Sequence, residues 1–522
     1  MSQTQMTGVD RLTPKIIDAE DLVSFGPRIA ENAARLGAKP CVIDEERTLS
    51  WAEFGDLVAR IAGRLKHMGI GPGSMVASLA ENSAYNFALY TGVVYAGACM
   101  VPLPFSATEA ALIKERADSG AALLFTTQKY RETAEKLGAD DLIDLADIEK
   151  WIGDAPAIDP VPVTNDDLFD MIYSSGTTGT PKGIVHDHRF RSRQFSRTSS
   201  YGLEEDGVLI LSTPLYSNTT LVAAIAGLAR GATIVSMARF KTVPFLELSE
   251  KHRATHAMLV PVQYMRLMDE PRFDEFDLSA YQCKMSTSAP LPGVVIERVM
   301  KRWPGNIMEF YGMTEGGPAT VLDCAAHPDK WDTVGQPQPG ADMRVVDEDG
   351  IELPYGSYGE VVGRSGSMMP GYHNNPEKTR EASWVSSEGE HFVRTGDMGR
   401  FDEDGFLHLL DRKKDMIISG GFNIYAADLE AVLRTHPDVA DVAVIAIPSR
   451  DWGETPLGLV VPKSDSADAE QIRQWTNDQL GKTQRVSAVE FRDDLPRSEI
   501  GKILKRELRE PYWADSTANQ TD

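Results

Sequence analysis

The sequence has few cysteines, a deficit of basic residues, and no uninterrupted apolar run of membrane-spanning length. Only four of its 522 residues are cysteine, and none forms a C-x-x-C pair, which excludes a disulfide framework and disfavours a structural metal site. Lys and Arg number 53 against 77 Asp and Glu, a net charge of -24, so most of the surface would repel nucleic acid. We therefore expect a reduced, cytoplasmic protein without a nucleic-acid partner.

The most apolar stretch, residues 87–105, is broken by two glycines and two prolines, Gly92, Gly97, Pro102 and Pro104. A bilayer-spanning helix needs about 20 consecutive apolar residues, so this stretch predicts a buried helix, a turn near Gly97 and a buried strand. The first residues lack the basic and then apolar pattern of a signal peptide. The sequence predicts no membrane span, and it leaves a homodimer open.

The run YSSGTTGTPKG at residues 173–183 has the composition of a phosphate-binding loop, and we call it the phosphate loop. It combines glycines, hydroxylated residues and one lysine: Ser174, Ser175, Gly176, Thr177, Thr178, Gly179, Thr180 and Lys182. Glycines let backbone N–H groups approach an anion, hydroxyls donate to its oxygens, and lysine neutralises its charge. The apolar segment 168–173 predicts a strand that leads into the loop. Pro181 before the lysine and Gly183 after it exclude a Walker A loop.

The pattern along the chain predicts an α/β protein of at least two domains, because 522 residues exceed what one core supports. Helical and strand patterns alternate through the first third, which favours helix-covered parallel or mixed sheets. Ser50 with Glu53 predicts a capping box, and Ser106 with Glu109 another helix start. The region 330–411 favours antiparallel strands, and the pattern after 412 favours a small α+β domain.

Four further motifs follow the phosphate loop: YGMTE at 311–315, RTGD at 394–397, DRKKDMIISGGFNIY at 411–425 and PRSEIGKILKREL at 496–508. Their order and spacing resemble the acyl-adenylate-forming superfamily of acyl-CoA ligases, luciferases and peptide-synthetase adenylation domains. The resemblance covers nearly the whole chain. It implies a large N-terminal domain at 1–412 with mixed sheets and a β-barrel-like subdomain, and a small mobile C-terminal domain at 413–522.

The resemblance also implies roles for particular residues. Lys502 would touch the acid carboxylate and the α-phosphate, Thr314 the α-phosphate, and Glu315 would hold Mg2+. Lys414 would be the hinge of the small domain. The remaining nucleotide-binding residues would be Ser174, Ser175, Gly176, Thr177, Thr178, Lys182, Ser288, Ala289, Pro290, Tyr311, Gly312, Asp397 and Arg412.

Two further sets complete the implied site. The thiol of CoA would pass the loop formed by Ser419, Gly420 and Gly421. The acid pocket would be lined by Tyr216, Ser217, Asn218, Met258, Val260, Gln263, Gly312 and Met313. Many relatives carry a gating aromatic ring where this chain has Ser217. The mainly apolar lining, without an evident buried Arg or Lys for a second carboxylate, favours a hydrophobic fatty, alicyclic or aryl acid.

The implied activity is that of an AMP-forming carboxylic acid:CoA ligase that uses ATP, Mg2+ and CoA. A free-standing enzyme that loads the acyl group onto a carrier protein stays open as an alternative. A kinase or phosphatase with a P-loop would need the Walker geometry, which the sequence lacks. The histidines of the HDH run at 186–188 are interpreted as loop or helix-start residues rather than metal ligands.

Overall fold

The computed structural model describes residues 24–138, 142–174, 182–197, 201–412, 415–419, 422–449, 452–480, 485–498 and 501–518. The chain forms two compact units. The first comprises Met1–Leu259, Gln263–Arg344 and Val362–Arg394, and the second Val260–Val262, Val345–Val361 and Thr395–Asp522. The domain boundary expected between residues 412 and 413 stays a prediction. Within the described ranges no helix is both long enough and apolar enough to cross a bilayer.

Helices and strands alternate through most of the described residues. The helices are α1 (Phe25–Leu36), α2 (Trp51–His67), α3 (Ala84–Tyr95), α4 (Glu109–Ser119), α5 (Arg131–Lys136), α6 (Ile148–Ile152), α7 (His188–Arg197), α8 (Asn218–Arg230), α9 (Thr242–Lys251), α10 (Pro261–Asp269), α11 (Gly293–Arg302), α12 (Pro376–Glu381), α13 (Ala426–Arg434), α14 (Ala469–Asp478) and α15 (Lys505–Ala518). The strands are β1 (Pro40–Ile43), β2 (Thr48–Ser50), β3 (Met75–Leu79), β4 (Cys99–Pro102), β5 (Leu123–Thr126), β6 (Leu142–Asp144), β7 (Leu168–Ser174), β8 (Lys182–Asp187), β9 (Val208–Leu211), β10 (Thr233–Ser236), β11 (His256–Leu259), β12 (Cys283–Ser286), β13 (Asn306–Gly312), β14 (Ala319–Asp323), β15 (Gln336–Pro337), β16 (Asp342–Val346), β17 (Gly359–Arg364), β18 (Ser383–Val385), β19 (His391–Phe401), β20 (Leu407–Arg412), β21 (Ile417–Ser419), β22 (Phe422–Ile424), β23 (Val439–Ser449), β24 (Gly453–Pro462) and β25 (Ala488–Phe491).

Two mixed sheets form the framework of the first unit. One has the strand order β6-β5-β3-β4-β7-β8, in which only the β7–β8 pair is antiparallel. The other has the order β15-β14-β13-β12-β11-β9-β10-β1-β2. Its six strands from β13 to β1 are parallel, and β2, β14 and β15 are antiparallel additions at its edges. Parallel strands direct their carboxyl ends to one edge, where the following loops gather.

Local sequence signals set several helix boundaries. The capping box at the start of α2 is present, because Ser50 Oγ accepts from the Glu53 N–H and the Glu53 carboxylate accepts from the Ser50 N–H. The expected cap at Ser106 is wrong: α4 begins at Glu109, and Thr108 Oγ1 caps it by accepting from the Ala111 N–H. A Ser106 cap would start the helix two residues too early. Ser106 Oγ instead forms a hydrogen bond with the Tyr216 hydroxyl.

The core of the first unit lies among helices and strands of both large sheets. One buried cluster contains residues of α1, α2, α3 and α8 together with residues of β3, β5, β7, β9, β10 and β12. The apolar stretch at 87–105 forms most of α3, then β4 after a turn at Gly97, whose φ is 75°. It is therefore the predicted buried helix and strand.

The second unit contains a smaller α+β arrangement near the C-terminus. Its sheet has the order β22-β21-β24-β23, with β25 parallel to β24. Apolar residues of α13 and α14 form a core with one face of this sheet, and Leu508 and Tyr512 of α15 pack with its other residues. A further sheet has the order β16-β17-β19-β18, with β20 antiparallel to β19. The predicted α/β class, with large helix-covered mixed sheets and a small α+β part, is confirmed.

Candidate active site

Strands β7 and β8 hold the two ends of the phosphate loop. They pair antiparallel, and Ser174 and Lys182 are register partners at the end of the ladder. Ser175, Gly176, Thr177 and Thr178 lie outside the described residues, as does the side chain of Ser174. The backbone at Gly183 is closely packed, because a Cβ there would lie 2.6 Å from Met171 Sδ. The loop therefore leaves and enters two strands of one sheet.

The YGMTE motif ends β13 and turns into β14. Gly316 and Gly317 carry the turn with φ of 70° and 87°, a region that favours glycine. A Cβ on Gly316 would lie 2.1 Å from the Ser367 carbonyl oxygen. The Gly317 N–H donates to that oxygen at 2.8 Å, and the Met369 N–H donates to the Glu315 carbonyl oxygen at 2.9 Å. This turn, which carries Thr314 and Glu315, is held by the segment 366–373.

The same segment also contacts the start of β8, where the chain leaves the phosphate loop. The His373 N–H donates to the Gly183 carbonyl oxygen at 2.7 Å. The hydroxyl of Tyr372 donates to Glu315 Oε1 at 2.7 Å. Lys182 Nζ lies 5.7 Å from the centre of the Tyr372 ring, a cation–π distance. Tyr372 thus links the predicted phosphate lysine with the predicted metal carboxylate.

Electrostatics at Tyr372 match this placement. Burial raises the pKa of Tyr372 well above its usual range, and the negative charge of Glu315 raises it further. The phenol therefore stays protonated and donates to the carboxylate throughout the neutral range. Because one oxygen of Glu315 is held in this way, the other can face a cation.

Four buried polar side chains form a network beneath the turn, and we call Tyr90, Asp170, His186 and Arg191 the buried network. Asp170 and Arg191 are both 0% exposed. Arg191 Nη2 lies 2.6 Å from Asp170 Oδ2, and His186 Nδ1 lies 2.5 Å from Asp170 Oδ1. The Tyr90 hydroxyl also donates to the Asp170 carboxylate.

Burial and the neighbouring charges have opposite effects on the ionisation of Asp170. Burial favours its neutral form, but the charges of Arg191 and His186, with hydrogen bonds from His186 and Tyr90, lower its pKa to about 2. The network therefore holds a carboxylate and a guanidinium as a buried ion pair. Through His186, whose Nε2 lies 2.7 Å from the Thr314 carbonyl oxygen, this pair reaches the YGMTE turn.

The expected adenine-pocket residues gather at the carboxyl edge of the large sheet. Ser288, Ala289 and Pro290 follow β12, while Tyr311 and Gly312 end the neighbouring strand β13. Ser288 has a φ of 80°, a strained value for a residue other than glycine. Its Oγ lies 2.7 Å from Thr219 Oγ1 at the start of α8. This contact joins the expected nucleotide-binding residues after β12 to the start of α8, next to the expected acid-pocket residue Asn218.

Most of the expected acid-pocket residues lie along the same edge. Tyr216, Ser217 and Asn218 follow β9, and Met258 lies in the adjacent strand β11. Gln263 Nε2 donates to Ser212 Oγ, at the end of β9, at 3.2 Å. Gly312 and Met313 lie at the end of β13 and in the turn that follows it. Val260 follows β11 in the chain and belongs to the second unit.

Two of these residues have structural contacts that account for their type. Ser217 caps α8, since its Oγ accepts from the Thr219 N–H at 3.3 Å. The ring of Tyr216 meets that of Phe105 edge-on at 4.9 Å, and its hydroxyl contacts Ser106. Ser217, which stands where the resemblance implies a gating ring in many relatives, is therefore a helix cap in this chain.

In the second unit the structure brings Asp397 and Arg412 together. They are register partners on the antiparallel strands β19 and β20. The Asp397 N–H donates to Thr395 Oγ1 at 2.9 Å, which fixes the strand there. The side chain of Arg412 lies outside the described residues.

The other predicted residues of this unit lie in turns and strand ends. Lys502 is partly buried in a tight turn, where its N–H donates to Ser498 Oγ at 3.2 Å and Gly501 has a φ of 74°. Ser419 ends β21 and is the register partner of Gly453. Lys414, Gly420 and Gly421 lie outside the described residues.

Sequence reasoning missed Tyr372 and the buried network. His186 was interpreted as a loop or helix-start residue, yet it lies within β8, fully buried, and only His188 begins α7. A usable signal was present, since Asp170 interrupts the apolar run of β7 and must find a partner if buried. Sequence reasoning also missed Arg191, which is buried, bonded to the expected acid-pocket residue Asn218 and paired with Asp170.

Comparison with known proteins places these features in a family context. Residues 29–373 match the family described as AMP-binding enzyme, and residues 428–502 match the AMP-binding enzyme C-terminal domain. The chain is similar to 4-coumarate–CoA ligase 1 of Petroselinum crispum, 31% identical over 505 residues that cover 92% of each protein. It is similar to feruloyl-CoA synthase of Amycolatopsis sp, 34% identical over 468 residues that cover 89% of this chain and 94% of that protein. The solved structure of ATP-bound MatB from Rhodopseudomonas palustris matches with a TM-score of 0.85 at 30% identity, covering 94% of this chain and 99% of that one.

Proposed function

Since this chain belongs to the AMP-binding enzyme family, we propose that it is an AMP-forming carboxylic acid:CoA ligase. The observation that carries the proposal is the cluster of Lys182, Tyr372 and Glu315 beside the Thr314 turn. It puts a cation next to a carboxylate at the end of the phosphate loop. A nucleotide triphosphate with its metal ion needs that combination.

The proposed reaction has two steps. A carboxylate oxygen of the acid attacks the α-phosphorus of ATP, a P–O bond forms, and the bond to pyrophosphate breaks. The CoA sulfur then attacks the acyl carbon, a C–S bond forms, and AMP leaves with the electron pair of the broken C–O bond. The thiol proton is lost to solvent or to a base. The first step brings two anions together, so positive charge at the phosphates matters most.

Within the first unit, we assign the phosphates to the phosphate loop, Lys182 and Thr314. Lys182 is the charged group of this set, and its ammonium is a compact point charge suited to phosphate oxygens. Asp397, opposite Arg412, is proposed to accept hydrogen bonds from the ribose hydroxyls. Lys502 is proposed to neutralise charge as the acid attacks.

The donor set at the turn fits a magnesium ion. Proteins bind Mg2+ through one or two carboxylates plus substrate phosphates. Glu315 supplies one carboxylate, and only its Oε1 is held by Tyr372. When bound, the ion would draw charge from the departing pyrophosphate.

The acid is proposed to be hydrophobic, and aryl acids are the first class to test. The expected pocket has mainly apolar residues such as Met258 and Met313, and the buried guanidinium of Arg191, which contacts Asn218, is already paired with Asp170. Two relatives are named for coumarate and ferulate, which are aryl acids. Their names also favour CoA over a carrier protein as the acceptor.

The second step is proposed to use the C-terminal domain at 413–522, turning at Lys414. Ser419, Gly420 and Gly421 would then line the path of the thiol. One active site would serve both steps by rotation of this domain, a hinge motion. We also propose a cytoplasmic location, which is supported by four free, buried cysteines.

A pyrophosphate-release screen tests the proposal directly. The full chain is incubated with ATP, Mg2+ and a panel of aryl, alicyclic and aliphatic acids, with no acceptor, with CoA, or with a phosphopantetheinyl carrier protein. We expect AMP and pyrophosphate in equal amounts with the correct acid, and a thioester only with CoA. Formation of ADP, or no nucleotide turnover with any acid, would contradict the proposal. A thioester on the carrier alone would reverse the choice of acceptor.

A further inference from the structure

The buried network continues into the candidate acid pocket through Arg191. Its Nε and Nη2 face the Asp170 carboxylate at 2.9 and 2.6 Å, and Nη2 also lies 3.0 Å from His186 Nδ1. Its Nη1 donates to Gln194 Oε1 and to Asn218 Oδ1, each at 2.7 Å. A guanidinium has five N–H donors, and four of them meet oxygen acceptors here: two on the Asp170 side and both N–H groups of Nη1.

Because Asp170, Gln194 and Asn218 take four of its donors and its side chain is fully buried, Arg191 is held by protein groups and is not placed to bind the acid. A charge buried at 0% exposure is costly unless paired, and the pair with Asp170 holds the guanidinium in one place. Its planar fork then gives direction to whatever accepts from Nη1. Arg191 is therefore suited to orient Asn218 rather than to contact a ligand.

The contact with Arg191 fixes which way the Asn218 amide faces. A guanidinium only donates, so the atom of Asn218 nearest to it must be the carbonyl oxygen. The amide nitrogen then points along the other branch of the side chain. No described residue accepts a hydrogen bond from it. Since Asn218 is partly exposed, its two N–H donors, which meet no acceptor among the described residues, can face a bound molecule.

The position of Asn218 in the fold indicates which kind of molecule its amide would bind. It is the first residue of α8, at the carboxyl edge of the large sheet. Its neighbour Thr219 contacts Ser288, which lies among the expected nucleotide residues. Tyr216 and Met258, the apolar candidates for the acid, lie at the same edge.

We propose that Asn218 is a specificity-determining residue for the acid and that Arg191 is its positioning residue. The acid would be hydrophobic and would carry one hydrogen-bond acceptor, a hydroxyl, ether or carbonyl oxygen, away from its reacting carboxylate. This rests on the proposed ligase function and names the substrate class more closely. An acid without that oxygen leaves the amide donors desolvated and unpaired, which lowers its affinity.

The first test compares matched acids on the wild-type chain and on Asn218→Leu. The probes are phenylpropanoate with its para-hydroxy and para-methoxy forms, and octanoate with ω-hydroxyoctanoate, measured by pyrophosphate release. We expect the wild type to favour the oxygen-bearing acid by about tenfold or more in kcat/KM. Asn218→Leu should lose this preference through a higher KM for the oxygenated acid. A wild type without preference, or a variant that keeps it, would overturn the inference.

Two further variants test whether Asn218 acts as a hydrogen-bond donor or only as a polar residue. Asn218→Asp still accepts from Arg191 but has no N–H, so it should lose the preference for the methoxy acid, which can only accept. Gln194→Leu removes the other amide that Arg191 Nη1 contacts and serves as the matched control. It should keep the preference. Equal loss in Gln194→Leu and Asn218→Leu would refute a specific role for Asn218.

The positioning role of Arg191 is tested with Arg191→Lys, which keeps a charge beside Asp170 but loses the fork. We expect the preference, which is kcat/KM for the oxygenated acid divided by kcat/KM for the parent acid, to fall. The fall should come from a change in KM. A uniform loss of kcat for all acids, with the ratio intact, would show a structural role only and overturn this part. Thermal melting verifies folding, and the Asn218 variants decide the proposal if Arg191→Lys does not fold. If no acid releases pyrophosphate at all, the ligase function fails instead, which is a different outcome.

Discussion

The ring of His186 joins the carboxylate of Asp170 to the backbone of Thr314. Nε2 lies 2.7 Å from the Thr314 carbonyl oxygen, and Nδ1 lies 2.5 Å from Asp170 Oδ1. A carbonyl oxygen can only accept, so Nε2 must carry a proton and donate. The ring also stacks on Phe190 at 4.1 Å. A turn that carries two predicted catalytic residues is therefore anchored to the interior of the sheet.

Loss of this anchor should slow adenylation. His186→Leu fills similar space but cannot donate, so the Thr314 carbonyl loses a buried partner, at a cost of about 1–3 kcal/mol. We expect kcat/KM for pyrophosphate release to fall about tenfold, because about 1.4 kcal/mol of lost transition-state positioning corresponds to that factor.

The matched control is His391→Leu, at the exposed start of β19, which should behave as the wild type. Thermal melting separates slower catalysis from unfolding. A His186→Leu enzyme with the wild-type rate would show that the turn holds its position without this histidine.

Residues close in sequence were predictable, whereas contacts between distant segments were not. The capping box of α2 and the strand before the phosphate loop follow from patterns within a few residues, and both are present. Sequence motifs also point to Thr314 and Glu315. Nothing local signals that Tyr372 would reach Glu315, 57 positions away. The partner of a buried charge such as Asp170 depends on topology, which pairs β7 with β8.

The phenol of Tyr372 should tune the metal requirement of the first step. Tyr372→Phe removes the hydrogen bond to Glu315 Oε1 and leaves the carboxylate less well oriented. Outer-shell partners of metal ligands typically contribute about 10–100-fold in affinity. We expect the Mg2+ concentration for half-maximal pyrophosphate release to rise about tenfold, measured at saturating acid.

Tyr358→Phe is the matched control, since Tyr358 is 55% exposed and its ring lies 5.2 Å from the Arg400 guanidinium carbon. It should leave the Mg2+ dependence unaltered. An unaltered dependence in Tyr372→Phe as well would mean that Glu315 needs no orientation by the phenol, or that it does not bind the ion.

A buried glutamate close to the expected adenine-pocket residues should make the stability of the fold depend on pH. Glu309 lies in β13 opposite Ser286, and its Oε1 accepts from the Leu291 N–H at 2.6 Å. Burial raises the pKa of Glu309 to about 8, although that hydrogen bond opposes the rise. The folded state therefore binds a proton between about pH 4 and pH 8 that the unfolded chain releases. The stability from this group is present below about pH 4 and is lost as the pH rises through 8.

Glu309→Gln removes this ionisation, so its free energy of unfolding should rise relative to the wild type as the pH increases. We expect a relative gain of about 2–4 kcal/mol between pH 5 and pH 8, from denaturant titrations at each pH. Glu297→Gln, on the exposed face of α11, should show no such trend. A pH-independent difference between Glu309→Gln and wild type would mean that the carboxyl is ionised in the folded protein.

Lys502 should act in the first step and not in the second. Its ammonium is proposed to neutralise charge as the acid attacks the α-phosphate, so Lys502→Ala removes an electrostatic contribution of about 3–4 kcal/mol, or roughly two to three orders of magnitude in rate. We expect pyrophosphate release to fall by that amount. Thioester formation from a supplied acyl-AMP and CoA should persist, since the lysine has no role once AMP is attached.

The control for lost surface charge is Arg506→Ala, because Arg506 is an exposed cation four positions away. This variant should match the wild type in both steps. Equal loss of both steps in Lys502→Ala would show that the turn at 498–502 supports the fold or the thiol path, and the adenylation role would then be wrong.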